Sequence, residues 1–451
     1  MTTRIGIDFG TTNSGAALFD GQNLRVLPLD PASPDPTIVR STLYITREHE
    51  VFAGREAVDA YYRQNVGRPS RLVRHYVGEI EMTFAELPTF VREVYTLVDE
   101  LTPGRLIHSI KSELSGAYEG AALFGRFYSA EELVALYLRE IKRRAEACIG
   151  EPIDGVVLGR PVHFVGGQDE AADQRAVQRL KHAAQAAGFR DVSFELEPVA
   201  AALRYEMNLS RPENIVVFDF GGGTLDVTVM QVGSPNGCTV LATGGLGIAG
   251  DTFDQRIIGQ LLLEHFGHGT TWGQDALPFP DHFTDALTQW LSIPELNRPE
   301  TIHILRQFQR HGSHPARIRA LESLLVNNLA IQLIDAVEQA KIDLSTRRFT
   351  SVRLTDADID LWQAITRTQF ESLIGEALRH TEACLNDTLA RSGLQPAEID
   401  AVVRTGGSSQ IPCFIDLIAR IFGPDKITLT DLFSGVTAGL AISAYRHTVH
   451  R

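Results

Sequence analysis

A glycine-rich turn that follows an apolar strand occurs twice in this sequence, and the duplication limits the folds that the chain can adopt. The first copy is residues 5–14, IGIDFGTTNS, and the second is residues 216–226, VVFDFGGGTLD. Each copy places an aspartate where the strand ends, Asp8 or Asp219, and glycines with hydroxyl residues directly after it. Glycine lets backbone N–H groups approach anionic oxygens, whereas a carboxylate beside phosphates needs a hard cation such as Mg²⁺ between them. The two turns therefore predict one metal–nucleotide site between two halves of the chain.

The length and composition predict a folded chain with two lobes. At 451 residues the chain is longer than a single hydrophobic core usually organises. A content of 44% hydrophobic and 22% charged residues excludes extensive disorder. The formal net charge of −14 argues against nucleic acids and anionic membranes as partners, because Lys and Arg make most phosphate contacts.

Neither the cysteines nor the apolar segments indicate a secreted or membrane protein. The four cysteines form no C-x-x-C pair and have no histidine at metal-ligand spacing, which favours reduced thiols. The first strand begins within a few residues of Met1, and no apolar stretch is long enough to span a bilayer. We therefore expect a cytoplasmic protein that binds no membrane.

Strands and helices alternate along the chain, which predicts an α/β fold. Apolar spacing predicts strands at 41–45, 155–161 and 401–405, and helices at 55–62, 131–148, 168–188, 318–345, 366–389 and 435–445. The region up to Thr102 is expected to mix short helices with Pro and Gly breaks. Residues 267–299 are expected to form surface loops and short helices.

A third strand runs into a glycine turn at residues 401–409, AVVRTGGSS, and three such turns in order indicate a ligand site more strongly than one. Residues 245–250, GLGIAG, match the dinucleotide fingerprint, but the acid expected about 20 residues later is absent, the nearest being Glu264. No G-x-x-x-x-G-K run occurs, which argues against a P-loop fold. We expect the 245–250 turn to place N–H groups near phosphates or to begin the helix that contains Phe253.

The order of these motifs resembles the DnaK-type heat-shock chaperones, within the superfamily of actin, hexokinase and heat-shock ATPases. The similar segments span the chain: residues 5–14, Glu197-Pro198, residues 219–226, 250–254 and 338–341 (EQAK), and the glycine turn at 406–408 with Ile411-Pro412. The resemblance implies an α/β, duplicated actin-like ATPase fold. Its two lobes would surround a central cleft that binds ATP or ADP with Mg²⁺.

The resemblance also implies a role for each matching residue. The expected phosphate contacts are Gly10, Thr11 and Thr12 from one lobe, and Gly221, Gly222, Gly223 and Thr224 from the other. The expected cofactor site also includes Gly250, Gly406, Gly407 and Ser408. Glu338, Lys341 and Ser345 lie on one helix face and are expected to contact ribose and adenine, the alternative being a solvated charged face. Asp8, Asp219 and Glu197 are expected to hold Mg²⁺ through water, and Asp219 also to orient the attacking water.

Some positions depart from the family pattern. Ile342 replaces the family's adenine-stacking arginine, and an arginine of the third glycine turn is replaced around Ser409 and Gln410. We therefore expect purine binding to be weaker or shifted. Lys111 is the best match to the catalytic lysine, which would neutralise charge developing on the γ-phosphate, although the glycine after it is displaced to Gly116. A lysine exposed at a helix end is the alternative interpretation of Lys111.

The motifs also predict the division into lobes. Lobe I is expected to comprise residues 1–192 and the C-terminal helix 428–451, with an inserted subdomain at about 38–118. Lobe II is expected to comprise residues 193–427, with an inserted subdomain at about 250–370. Because the sequence stops soon after the last predicted helix, we expect no intrinsic peptide-binding domain, as in the truncated, YegD-type members of the family.

These features predict an ATP-binding, chaperone-like protein with slow Mg-dependent ATPase activity, which acts as a nucleotide-gated switch on an unknown protein partner or co-chaperone. A small-molecule kinase of the same superfamily is one alternative, but the sequence has no sugar-site signature. An actin-like filament former is a second alternative, although the acidic charge and irregular inserted segments offer no repeating contact surface.

Overall fold

The computed structural model describes residues 3–68, 71–84, 87–116, 118–164, 170–207, 209–234, 237–288, 293–429 and 435–449. Two central sheets organise these residues. In the first sheet the strand order is Asp191–Leu196, Ile153–Arg160, Thr3–Phe9, Asn13–Phe19 and Leu24–Val26, with Val39–Arg40 also paired to Asn13–Phe19. In the second sheet the order is Thr239–Leu246, Leu225–Val232, Glu213–Phe220, Ala401–Thr405 and Ile427–Leu429.

The two sheets repeat one pairing pattern, which confirms the predicted duplicated α/β fold. Thr3–Phe9 pairs antiparallel with the strand after its glycine turn and parallel with Ile153–Arg160. Glu213–Phe220 likewise pairs antiparallel with Leu225–Val232 and parallel with Ala401–Thr405. Parallel strands are usually covered on both faces, which agrees with the complete burial of these apolar runs. Both glycine turns therefore lie at the same end of equivalent strands.

Helices cover the sheets, and local sequence explains where several of them begin and end. The helices beside the sheets are Ala130–Ile149, Glu170–Ala186, Glu197–Glu206, Gly250–Ile257, Gly375–Ser392, Pro412–Phe422 and Gly435–Val449. Ser129 caps the first of these by accepting from the Glu132 N–H, and Gly150 ends it with a left-handed φ of 87°. Residues 168 and 169 of the predicted helix 168–188 lie outside the described residues.

The C-terminal helix Gly435–Val449 joins the two lobes beneath the cleft. It packs against Thr3–Phe9 and against Glu197–Glu206 through two glycines. A Cβ on Gly439 would lie 1.7 Å from the Ala200 carbonyl oxygen, and one on Gly6 would lie 2.2 Å from the Ala441 nitrogen. Side chains from both sheets and both helices share one apolar core at this junction. The lobes therefore have a common base.

The predicted lobe limits fall inside strands. Asp191–Leu196 is an edge strand of the first sheet, so that sheet continues past residue 192. Ile427–Leu429 belongs to the second sheet, so that sheet continues past residue 427. Both strands are held by backbone hydrogen bonds to their neighbours, a non-local contact that no local motif marks.

The first inserted region is mainly β structure, and the prediction of short helices up to Thr102 was wrong. Thr42–Thr46, Val51–Ala53 and Gly104–His108 form a three-stranded sheet beside the helix Arg55–Asn65. Strands Leu72–Phe84 and Leu87–Asp99 form a long hairpin between this helix and Gly104–His108. Strands Gly120–Leu123 and Arg126–Ser129 form a smaller hairpin. The alternation of apolar Ile80, Met82 and Phe84 with polar residues was the period-2 signal for the long hairpin.

The single helix predicted at 318–345 is two helices, Pro315–Val326 and Ala330–Thr346, which meet at an angle of 105°. Asn328 between them has a left-handed φ of 55°, a conformation that asparagine adopts more readily than most residues. Asn327 fixes the corner by donating to Ser323 Oγ and Asp356 Oδ2. The predicted helix 366–389 is similarly divided into Arg367–Leu373 and Gly375–Ser392.

The described parts of residues 267–299, 267–288 and 293–299, are more buried than a set of surface loops would be. The segment holds short helices, His282–Asp285 and Ile293–Leu296, and the strand pair Thr271–Trp272 with Leu277–Pro278. Phe279, Phe283 and Leu287 belong to the large core of the second lobe. Pro299–His311 and the hairpin of Phe349–Asp356 with Ile359–Thr366 complete this lobe.

In the described part of the chain, no single helix is both long and apolar enough to cross a membrane. The bent pair Pro315–Val326 and Ala330–Thr346 passes the same test only when the two helices are taken together.

Candidate functional site

A cavity of about 640 Å³ lies between the two lobes, within the size range of small-molecule sites. Every residue predicted to contact nucleotide, metal or the reacting phosphate lines it. These residues are Asp8, Gly10, Thr11, Thr12, Lys111, Glu197, Asp219, Gly221, Gly222, Gly223, Thr224, Gly250, Glu338, Lys341, Ser345, Gly406, Gly407 and Ser408. They come from segments up to about 400 residues apart in sequence, which the two sheets bring to one place.

The first two glycine turns face each other, and glycines of the second turn lie close to the threonines of the first. A Cβ on Gly222 would lie 2.3 Å from Thr12 Oγ1, and one on Gly223 would lie 3.6 Å from Thr11 Oγ1. A side chain at residue 222 would therefore force the turns apart. Ser41 holds the first turn by donating its hydroxyl to the Gly10 carbonyl oxygen at 2.7 Å.

The third glycine turn is tied to the second. Ser408 Oγ donates to the Gly221 carbonyl oxygen at 2.7 Å, and the Gly250 N–H donates to the same oxygen at 3.3 Å. Gly406 has a φ of 79°, and a Cβ there would lie 2.4 Å from the Phe220 carbonyl oxygen. Buried Arg404 donates to the Ser409 carbonyl oxygen at 2.7 Å and so fixes the end of this turn.

The turn at residues 245–250 is not part of a dinucleotide unit. Thr239–Leu246 is an edge strand that runs antiparallel to its neighbour, whereas the fingerprint requires a parallel βαβ unit. The helix that follows begins at Gly250, and the Asp251 N–H donates to the Gly222 carbonyl oxygen at 2.8 Å. The turn therefore supports the second glycine turn and begins the helix whose Phe253 is buried in the core, as expected.

Acidic side chains and one lysine form the deep end of the cavity. Lys111 Nζ donates to Glu197 Oε1 at 2.5 Å, and the lysine is only 7% exposed. The alternative of an exposed helix-end lysine is therefore wrong. Desolvation lowers the pKa of Lys111, but the charges of Glu197 and Asp8 outweigh it and raise the pKa. The ammonium group stays charged and faces the carboxylates.

Burial disfavours the charged form of the aspartates of the two turns and raises the pKa of both. Desolvation, with a contribution from Glu197, raises the pKa of Asp8 to about 7 against the opposing charge of Lys111. Desolvation also raises the pKa of Asp219 well above its usual range, and Glu197, Asp226 and Asp8 add to this. At the deep end of the cavity the carboxyl groups outnumber the single ammonium group of Lys111, so a cation bound there would be stabilised.

The oxygen-rich donor set fits Mg²⁺, which prefers carboxylates and keeps several of its waters. Within the described residues no three acidic, histidine or cysteine side chains converge closely enough to hold a metal directly. Contact through water, as expected for Asp8, Asp219 and Glu197, is compatible with this spacing.

The helix Ala330–Thr346 forms the other end of the cavity. Lys341 Nζ donates to Asp254 Oδ2 at 2.6 Å and to the Gly250 carbonyl oxygen at 3.0 Å. Lys341 therefore links this helix to the helix Gly250–Ile257. Ile342, where the family pattern has an arginine, lines the cavity and is 53% exposed. The predicted face is therefore part of the cavity wall and is not simply a solvated surface.

Arg40 is a cavity residue that sequence reasoning missed. It extends from the first lobe to this helix of the second lobe, where it donates to Asp335 Oδ1 at 2.9 Å and Glu338 Oε2 at 2.5 Å. Tyr62 donates its hydroxyl to Asp335 Oδ2 at 2.6 Å. Asp335 lies three residues before Glu338, a spacing that places both on one helix face, but nothing local marked Arg40.

A family model described as "Hsp70 protein" matches this chain over residues 4–273 and 319–448. The two matched segments together cover most of the chain and contain all of the cavity residues predicted from the sequence.

Proposed function

The chain belongs to the Hsp70 family, and on this premise we propose that it is a nucleotide-gated switch that hydrolyses ATP slowly and acts on partner proteins. Membership of this family implies ATP binding, ATPase activity with Mg²⁺ and a chaperone-like role. One observation supports the switch most directly. Both lobes contribute glycine turns to a single cavity whose deep end holds carboxylates and Lys111.

In the proposed complex the backbone N–H groups of the turns bind the phosphates from both sides. Gly10, Thr11 and Thr12 do so from the first lobe, and Gly221, Gly222, Gly223 and Thr224 from the second. Phosphate binding by backbone N–H groups needs close approach, which the absence of side chains at the glycines permits. The helix face of Glu338, Lys341 and Ser345 then lies beside the nucleoside.

Hydrolysis in this proposal depends on positioning and electrostatics. Asp219 accepts a hydrogen bond from the attacking water and orients it towards the γ-phosphate. Lys111 offsets the negative charge that develops there, and Glu197 holds the lysine in place. Mg²⁺, when bound near Asp8, Asp219 and Glu197, would offset the charge of the phosphate oxygens.

Gating follows from the division of contacts between lobes. A ligand that touches both lobes binds the closed arrangement better than the open one and shifts the population towards closure. The Arg40 contacts to Asp335 and Glu338 also cross between the lobes, and they lie next to the proposed nucleoside position. Nucleotide state and lobe closure are thereby coupled, and a partner that contacts both lobes would sense them.

The test is hydrolysis of ATP by the purified chain together with its melting temperature in Mg-ATP, Mg-ADP and buffer. We expect slow phosphate release that EDTA abolishes. A ligand at a hundredfold excess over its Kd stabilises the folded state by about 2.7 kcal/mol, so we also expect a rise of roughly 3 °C. Faster ATP consumption with added sugars would indicate a kinase instead. Nucleotide-dependent light scattering would indicate filaments.

Replacing Lys111 with Ala is expected to lower kcat by about a hundredfold with little change in KM for ATP, because the ammonium group acts on charge that develops during the reaction. Lys142→Ala is the matched control, since Lys142 makes a similar 2.5 Å pair with Glu146 outside the cavity. Steady-state phosphate release measures both parameters. An unchanged kcat for Lys111→Ala would remove the lysine from the mechanism.

A further inference from the structure

Positive charge is concentrated in residues 298–319, which begin inside the segment between the two parts matched by the family model and end at the first residue of the second part. Residues 298–319 contain five arginines and three histidines but only one acidic residue, Glu300, in a chain whose formal net charge is −14. The segment is well packed: Leu305 and Ile318 are fully buried in the core of the second lobe. Its charged residues are therefore held on a rigid support.

The two arginines of the helix Pro299–His311, Arg306 and Arg310, lie on one face of it. His303, Arg306, Gln307 and Arg310 are exposed at spacings of three, four and seven residues, so they share the side opposite buried Leu305. We call these four residues the basic helix face. Exposed Arg319 adds a third positive charge in the next helix, and exposed His311 and His314 lie in the chain between it and the basic helix face.

Intramolecular ion pairs leave much of this charge available. Arg306 pairs with Glu322 at 2.7 Å, but its side chain remains 62% exposed. Arg319 reaches Asp358 only at 4.0 Å. For Arg310, no carboxylate of the described residues lies within ion-pair distance. Exposed pairs of this kind contribute little and exchange readily with other partners.

We propose that the basic helix face docks an acidic segment of a partner protein. Arginine binds carboxylates in a bidentate geometry, and no lysine occurs in residues 298–319. Ile304, 37% exposed beside the face, supplies an apolar anchor of the kind that protein segments use. The partner chemistry named here extends the proposed switch on partner proteins, and none of residues 298–319 lines the nucleotide cavity.

The size of the face favours a short acidic segment over a long polyanion. The helix has 13 residues and is therefore about 20 Å long. A nucleic acid or an anionic membrane would extend beyond it and meet the negative charge that dominates the rest of the chain. An acidic peptide segment can end where the positive charge ends.

The test measures binding of the full chain to a fluorescein-labelled helical peptide that has glutamates on one face and leucines beside them. Fluorescence anisotropy at low and high salt is compared for the wild type and two double variants. Arg306→Glu with Arg310→Glu reverses the basic helix face. Arg190→Glu with Arg391→Glu is the control, because both arginines are exposed, lie outside the face and give the same change in net charge.

We expect the first double variant to weaken peptide binding by at least about tenfold and the control to change it by less than about twofold. Equal losses in both, or no binding by the wild type at low salt, would overturn the docking site. So would tighter binding of a single-stranded oligonucleotide or of phosphatidylserine vesicles through the same two arginines. ATP hydrolysis is measured on the same samples. Hydrolysis without peptide binding overturns only the docking site, and peptide binding without hydrolysis contradicts only the proposed function.

Discussion

Replacing Asp219 with Asn is expected to reduce ATP hydrolysis by about a hundredfold or more while nucleotide still binds. The amide has the shape of the carboxyl group, so the second glycine turn should keep its conformation. It lacks the negative charge that would hold the hydrated metal and the strong acceptor that would orient water. Single-turnover hydrolysis and the binding of a fluorescent ADP analogue measure the two effects separately.

Two further aspartates serve as controls for this prediction. Asp226 lines the same cavity, but its carboxylate accepts a hydrogen bond from Thr224 at 3.0 Å, and we expect Asp226→Asn to have a smaller effect. Asp387 pairs with Arg391 on an exposed helix surface, and Asp387→Asn should leave turnover unchanged. Hydrolysis by Asp219→Asn at the wild-type rate would exclude Asp219 from the reaction, and equal losses at Asp226 would show that only the charge of the cluster matters.

Replacing Gly439 with Ala is expected to destabilise the protein by about 3 kcal/mol or more. In an ordinary helix this substitution stabilises by about 1 kcal/mol, because alanine has the higher helix propensity. At Gly439 the added Cβ would lie 1.7 Å from the Ala200 carbonyl oxygen, which is backbone and cannot rotate away. The two helices that join the lobes must therefore separate. Urea unfolding followed by circular dichroism measures the change.

Gly375→Ala is the matched control, because Gly375 is also helical and a Cβ there would meet no atom within 4 Å. We expect Gly375→Ala to be neutral or stabilising. The opposite signs of the two substitutions separate steric contact from helix propensity. If Gly439→Ala unfolds at the same urea concentration as the wild type, the close packing of Gly435–Val449 against Glu197–Glu206 is not needed for stability.

The cavity also shows why the nucleoside end is harder to infer than the phosphate end. The family resemblance implied the role of Glu338 and Lys341, and their spacing placed them on one helix face, yet both already have charged partners. Glu338 is bound by Arg40, and Lys341 is bound by Asp254. Any ligand that reaches this face meets ion pairs whose second members come from distant parts of the chain. The helix sequence alone contains no information on either partner.

Features that depend on neighbouring residues could be predicted from the sequence. An apolar strand, an aspartate and a glycine turn are contiguous at Asp8 and at Asp219, so the sequence was enough to recognise both turns and their duplication. In the structure both turns line one cavity. The capped helix Ala130–Ile149 was predicted to within a residue for the same reason. Local propensity and backbone geometry suffice for such elements.

Features that depend on contacts between distant residues could not be predicted from any single segment. A hydrogen bond from Asn327 to Asp356 stabilises the corner at Asn328, which interrupts a pattern that is helical on both sides. The burial of Lys111 depends on Glu197, and the position of Arg40 depends on Asp335 in the other lobe. The free energy of such contacts belongs to pairs that the fold brings together, and periodicity within a single segment does not record them.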